Sequence, residues 1–239
     1  MNSMPPHPTP ERPRIASADF SLLIVGDEIL SGKRADKHMP KLIELLAARG
    51  LQLRAAEYVG DNPAHITASL HRARSRVQAS GGAVFCCGGI GATPDDHTRW
   101  CAAQAWGLPL VLHPEAAALI HERMRDVAAA QGTPYDPHEP ISVHRLNMAM
   151  FPQGADIIPN PYNKIAGFSL GAGALGEQGG APSGGRELHA VNDRGGEQQA
   201  AAPGRLFFFP GFPVMAWPMM EWVLDTYAAH LFQTQAQLE

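Results

Sequence analysis

The chain has 239 residues, of which 45% are hydrophobic and 18% charged, enough for one sizeable α/β domain with its own core and too few for a second full domain. Its formal net charge is −4 and its basic residues are scattered, which argues against nucleic acid or an anionic membrane as a partner. Three cysteines, Cys86, Cys87 and Cys101, fit neither a disulfide framework nor CxxC metal spacing. The opening MNSMPPHPTPERPR lacks the apolar core of a signal peptide, and no run approaches the roughly 18 apolar residues of a membrane span. The expectation is a soluble cytoplasmic protein in which residues 1–18 are a disordered tail and residues 19–239 one domain.

Residues 20–25 (FSLLIV) form a continuous apolar run, the mark of a strand covered on both faces, and the chain then breaks into GDEILSG. A helical pattern follows with Met39, Leu42, Ile43 and Leu46 on one stripe, closed by Arg49 and Gly50. Residues 51–59 read as a second strand. Asn62 and Pro63 then supply an N-cap and a first helical residue for a helix carrying Ile66, Leu70, Ala73 and Val77.

A third strand, residues 83–87, leads into GGIGATPDDHT (residues 88–98). Residues 98–106 read as a helix, 108–112 as a short strand and 114–131 as an alanine-rich helix with Pro114 just inside its start. Strands alternating with helices predict right-handed crossovers and a three-layer α/β/α domain with a mostly parallel sheet. Ligands of such sheets bind beyond the C-terminal strand ends, and three polar loops follow three strands here: GDE, VGD and GGIGATPDD.

Residues 171–204 are crowded with Gly, Ala and Gln and poor in large apolar residues, so they read as a flexible insertion. Their flanks, residues 165–170 and 205–209, read as strands joined across what would otherwise be a hairpin turn. Pro210-Gly211-Phe212-Pro213 turns the chain into a last helix with Met219, Trp222, Val223, Tyr227 and Leu231 on one face.

The glycines of GGIGATPDDHT allow left-handed backbone and close approach by a ligand, and unpaired N–H groups at the following helix suit an anion. The aspartates admit a purely structural reading, with Thr93 as N-cap, Pro94 as first residue, and Asp95 and Asp96 at the positive end of the helix dipole. Yet two carboxylates repel a nearby phosphate, by about 1 kcal/mol per charge pair at 4 Å in bulk water and more where water is excluded. Mg²⁺ or another divalent cation removes that conflict, because it is commonly held by one or two carboxylates plus ligand phosphates.

Two familiar phosphate motifs do not match. GDEILSGK has one residue too many between its glycines for a Walker A loop, and Arg34 stands where Ser or Thr is required; GGIGATP lacks the third glycine of GxGxxG. The eleven histidines form no zinc-binding pattern.

Five motifs in order, GDEILSG with Asp36, VGD, GGIGATPDDHT, NPYNKIAGF (residues 160–168) and FPGFP (residues 209–213), resemble the molybdopterin-binding domain family. Within it the pattern is most similar to the N-terminal domain of the competence/damage-inducible protein A group. The resemblance implies a frequently trimeric α/β protein with a pterin-phosphate or nucleotide site at the strand ends. It places Asp27, Asp36, Gly88, Gly89, Gly91, Thr93, Thr98, Pro210 and Gly211 at the ligand and Asp61 and Asp96 in catalysis; for a metal-dependent pyrophosphatase, Asp61 with Asp95 or Asp96 would hold the cation and Glu28 would orient water.

Departures from the family pattern are Ala92 in place of a proline, Lys37 and His38 where an asparagine is expected, and Val214-Met215 in place of Ser-Glu after the PGxP turn. Three functions follow as expectations. They are binding of a phosphorylated pterin or nucleotide in molybdenum-cofactor biosynthesis, divalent-metal-dependent pyrophosphatase activity on ADP-ribose or a related nucleotide, and binding by a catalytically silent paralogue.

Overall fold

The computed structural model describes residues 19–173 and 204–227. The proposed tail (residues 1–18), the body of the insertion and Leu231 lie outside the described residues.

The run FSLLIV forms β1 (Asp19–Val25), central in a six-stranded sheet. β2 (Leu53–Val59) flanks it on one side and β3 (Gly82–Cys87) on the other, both parallel to it. β8 (Arg205–Phe209) pairs parallel with β3, then β7 (Gly167–Gly171) and β6 (Asp156–Ile158) continue antiparallel, giving the order β2-β1-β3-β8-β7-β6. β3 is buried at every position, whereas β2, at the sheet edge, alternates between exposed and half-buried residues over most of its length. That contrast is the burial difference expected between central and edge strands.

Two helical layers cover the sheet. On one face, α2 (His38–Ala47) and α7 (Pro213–Thr226) pack against Phe20, Leu22, Ile24, Phe85, Phe207 and Phe209. On the other, α3 (Pro63–Ser80), α4 (Thr98–Trp106) and α5 (Pro114–Gln131) bury the alternate residues, including Leu23, Val25, Cys86 and Phe208. The three-layer α/β/α architecture is therefore observed. The antiparallel end is held by a stack of rings in which Phe168 lies 4.3 Å from Phe208 and 4.8 Å from Phe151.

Local signals act as their chemistry requires. Asn62 Oδ1 accepts from the main-chain N–H groups of Ala64 and His65 at the start of α3, and α4 and α5 both end on glycines in the left-handed conformation, Gly107 and Gly132. Several expectations need correction. The buried stripe of α2 is His38, Leu42, Leu45 and Leu46, and Ile43 is 46% exposed, because the inward face includes the residue one position before Met39. Residues 110–112 form β4 (Leu110–Leu112) outside the main sheet, paired antiparallel with β5 (Met150–Pro152) in a two-stranded side sheet. Asp27–Leu30, inside a stretch read as loop, forms the single helical turn α1. Between α5 and β5 the chain makes α6 (Pro140–Arg145) and a short 3-10 helix (Leu146–Ala149).

Candidate functional site at the strand ends

The sheet register brings four loops to one level. Val25 pairs with Val59, Ile24 with Cys87, and Cys87 with Phe209, so the chain leaves β1, β2, β3 and β8 side by side at Gly26, Gly60, Gly88 and Pro210. β2 and β3 lie on opposite sides of β1, and the crevice created where the winding reverses is the usual place for a ligand in such sheets. The loops are stitched together, with Gly26 N–H donating to Val59 O and Gly88 N–H to Phe209 O, each at 3.0 Å.

The loop after β3 presents donors rather than acceptors. Gly89 O accepts from Thr98 N–H at 2.9 Å, Ile90 O from the Arg99 guanidinium at 2.6 Å, and Ala92 O from His144 Nε2 at 2.8 Å. Among the described residues, the N–H groups of Gly89, Ile90, Gly91 and Ala92 have no hydrogen-bond partner. Four consecutive unpaired donors, with the carbonyls of Gly89, Ile90 and Ala92 tied elsewhere, suit an anion; at Gly91 the Asp96 carboxylate stands against the loop, where a Cβ would come 2.6 Å from its Oδ2. Gly88 (φ 106°) and Gly89 (φ 66°) are needed for this path, because a side chain at Gly88 would meet the Val25 carbonyl oxygen and one at Gly89 the Thr98 hydroxyl. That hydroxyl is fully buried behind the loop and has no partner among the described residues.

Residues 93–97 correct the capping expectation. α4 begins at Thr98, with His97 preceding it and making no side-chain cap. Thr93 instead closes a turn with Asp96: its N–H donates to Asp96 Oδ2 at 2.7 Å, its hydroxyl to the same oxygen, and Asp96 N–H returns to Thr93 O at 3.1 Å. The carboxylate competes successfully for the Thr93 groups that a helix cap would have used. Asp96 also faces the buried Arg99, whose guanidinium burial pulls down to about 10 against the opposing pull of the Asp96 charge.

Asp95 lies elsewhere. Together with Asp27, Glu28, Leu30, Ser31, Lys33 and Asp61 it lines an open cavity of about 650 Å³ on the β2 side of the glycine loop. Asp27 and Asp61 hold each other in place, with Asp27 N–H donating to Asp61 Oδ2 at 2.9 Å and Asp61 N–H to Asp27 Oδ1 at 3.3 Å. Partial burial, reinforced by the charges of Asp27, Glu28 and Asp95, raises the Asp61 carboxyl above the ordinary aspartate range, and the hydrogen bond from the Asp27 amide only partly offsets it. Hard carboxylate oxygens are the donor type that Mg²⁺ takes. Among the described residues no three such groups converge as a ready-made metal site, so the carboxylates suit a cation that draws its remaining ligands from a phosphate.

The remaining motif residues build the walls. Asp36 Oδ1 accepts from His38 N–H at 2.8 Å, and its Oδ2 from Met39 N–H at 3.1 Å and the Tyr58 hydroxyl at 2.8 Å, so it anchors the start of α2. Burial and the neighbouring Asp36 push the Tyr58 hydroxyl up to about 12. His38 Nε2 meets Gly211 O at 3.1 Å, joining α2 to the Pro210-Gly211 turn. Burial lowers the His38 imidazole below its ordinary range. Behind the turn, Asn163 Nδ2 lies 3.0 Å from Met215 Sδ, so Met215, in place of the glutamate, contacts the NPYNKIAGF loop.

Sequence reasoning missed Arg99, His144, His38 and Lys33. Only Arg99 carries a local signal, as the one charged residue of TRWCAAQAW; His38 and His144 are placed by contacts distant in sequence, and Lys33 by its position on the cavity wall.

Comparison with known proteins places this geometry. The chain is 31% identical over 152 residues to a CinA-like protein of Anaeromyxobacter sp. (strain K), and 34% identical over 147 residues to one of Gloeobacter violaceus. These matches cover 64% and 62% of this chain and 34% and 31% of the relatives, so the chain spans about a third of the length of the curated proteins it matches. The crystal structure of the protein CinA, of unknown function, from Thermoplasma acidophilum superposes with a TM-score of 0.61 at 20% identity, covering 87% of this chain and 98% of that one, and so shares the fold. A family profile described as a probable molybdopterin binding domain matches residues 21–230. The chain belongs to the molybdopterin-binding domain family.

Proposed function

We propose that the protein binds a phosphorylated pterin or nucleotide at the C-terminal strand ends, with the phosphate on the loop of Gly88–Ala92. The observation that carries this reading is the run of four unpaired N–H groups, Gly89 to Ala92, opposite carbonyls tied by Thr98, Arg99 and His144. An anion there meets several oriented donors, and none of the loop carbonyls held by those three residues is free to repel it. The family's role in molybdenum-cofactor biosynthesis is consistent with such a ligand.

A second reading, divalent-metal-dependent pyrophosphatase activity on ADP-ribose or a related nucleotide, is favoured by the cavity beside the loop. Asp27, Glu28, Asp61 and Asp95 gather there around one lysine, Lys33, and a cation bridging them to a phosphate would remove the repulsion that raises Asp61. When bound, the ion would neutralise developing charge on the phosphoryl oxygens. The chain's own contribution would be to hold the anion on the loop donors and, through Glu28, to orient water.

The two readings separate in one experiment. Calorimetric titration with AMP, ADP-ribose and a phosphorylated pterin, in EDTA and then in Mg²⁺, should show binding that Mg²⁺ strengthens. Chromatography of ADP-ribose incubations with Mg²⁺, Mn²⁺ or Co²⁺ then asks whether AMP appears. Metal-dependent AMP lost in Asp61→Asn supports the pyrophosphatase; binding without turnover supports the binding role; failure of all three ligands to bind removes both.

A further inference from the structure

The cradle and the acidic cavity account for a phosphate and a cation, and neither offers a seat for a ring. The cavity lining is four carboxylates, Lys33, Ser31 and Leu30, a surface suited to ions and water. On the opposite, β8 side of the glycine loop the chemistry changes. Phe212 is 55% exposed immediately after Gly211, and Gly211 lies beside Gly88, where a Cβ would make an ordinary contact 3.4 Å from Gly88 Cα. His38 grips the Gly211 carbonyl from beneath, which holds this turn against the phosphate loop. Arg34, reaching over from the loop after β1, places its guanidinium carbon 5.7 Å from the Phe212 ring centroid. The Arg34 side chain is itself 53% exposed, with Glu28 Oε1 at 3.7 Å.

We propose that Phe212, with the Arg34 guanidinium over its ring, is the platform on which the planar heteroaromatic ring of the phosphorylated ligand stacks, on the β8 side of the glycine loop and joined to the acidic cavity through the Arg34–Glu28 pair. This rests on the phosphate-binding reading above. An exposed phenylalanine held beside a site is an apolar face whose cover removes unfavourable hydration, and a guanidinium next to it adds a second flat surface for a π-system. The ligand then spans three strand ends in order, with its ring over the β8 turn, its phosphate on the β3 loop, and any cation toward β1 and β2. A pterin and a purine share the required chemistry, a flat ring joined through a short linker to a phosphate.

The test compares ligands with and without a ring. AMP, a phosphorylated pterin and ribose 5-phosphate are titrated calorimetrically into the wild-type protein, Phe212→Ala and Phe212→Trp, with sedimentation velocity on each. Stacking predicts that Phe212→Ala weakens AMP about tenfold while ribose 5-phosphate changes less than about twofold, and that Phe212→Trp restores AMP binding with quenching of the new indole by AMP but not by ribose 5-phosphate. The ratio between AMP and the pterin phosphate in wild type tells which ring the platform takes. If Phe212→Ala binds AMP as wild type does, or weakens both ligands equally, the ring lies elsewhere and the phosphate reading survives. If Phe212→Ala alters sedimentation and leaves AMP affinity unchanged, the phenylalanine serves contact between copies and the platform is wrong. If wild type binds none of the three, the platform and the phosphate reading fall together.

Discussion

The glycine loop and the acidic cavity are neighbours with opposite degrees of completion. The main-chain carbonyls of Gly89, Ile90 and Ala92 are each tied to a protein donor, so the fold itself withdraws three of the loop's acceptors and leaves its N–H groups unpaired. In the cavity, Asp61 is raised by burial and by Asp27, Glu28 and Asp95, so the carboxylates oppose one another. The loop is pre-organised because its donors are backbone, fixed by glycine conformation and sheet register. The cavity is less settled because its groups are side chains, and although Arg34 approaches Glu28 at 3.7 Å, Asp61 faces the carboxylates of Asp27, Glu28 and Asp95. A binding function can rest on the first alone; hydrolysis needs something to reconcile the second.

The comparison breaks hardest at Gly88. Alanine there would hold a φ of 106° and press its Cβ into the Val25 carbonyl, and neither the central strand nor the loop can yield cheaply. Gly88→Ala should lose about 3 kcal/mol of stability or more, read as a lowered thermal midpoint, with affinity for AMP lost in whatever protein still folds. A variant that melts and binds like wild type would mean that the loop's path does not depend on glycine, and the account of a pre-organised cradle would be wrong.

The cavity predicts a smaller effect with a defined sign. The Asp61 pKa is higher folded than unfolded, so the native state binds more protons and stability falls as pH rises from the ordinary aspartate range through the raised folded value. Because the carboxyl is partly solvated, the loss should stay below about 1 kcal/mol. Asp61→Asn keeps an oxygen for the Asp27 amide and should flatten that fall, making the variant slightly more stable than wild type at neutral pH. Mg²⁺ with AMP should flatten it in wild type as well. Denaturant midpoints from pH 4 to 7 decide the matter, and a steeper fall in Asp61→Asn would show that Asp61 is stabilised as its anion.

What could be read from the sequence follows the range of the forces involved. FSLLIV, the Asn62-Pro63 cap and the glycine-rich loop are local, so the central strands, α3 and the position of the anion site were legible. At Thr93 the sequence leaves a helix cap and a metal or ligand role open, because a cap and an Asx-type turn use the same residues, and only the course of the chain back to Gly89 selects the turn with Asp96. β4 falls within residues 108–112, read as a short strand, but its partner β5 lies about 40 positions away and, like β6, is three residues long, so neither β5 nor β6 has a period long enough to register. The family's ordered motifs located Asp27, Asp61 and Asp95 in one region, but that Asp95 lines the cavity while Asp96 turns toward Thr93 is a matter of side-chain direction, which only the folded loop determines.

His144 is the sharpest case of that limit and gives the smallest effect. Ala92 stands where the family usually has a proline, which would stiffen the loop by removing a torsion. In this chain the same carbonyl is gripped from α6 by an imidazole 52 positions away. The bond is exposed, so its net worth is about 0.5–1 kcal/mol. His144→Ala should therefore weaken AMP about two- to fivefold with little change in melting temperature, and His144→Gln, which can present an amide N–H, should recover part of the loss. Calorimetric titration of AMP into the two variants checks this; a His144→Ala protein that binds AMP as wild type does would show that the Ala92 carbonyl needs no partner from α6 to be kept off the anion.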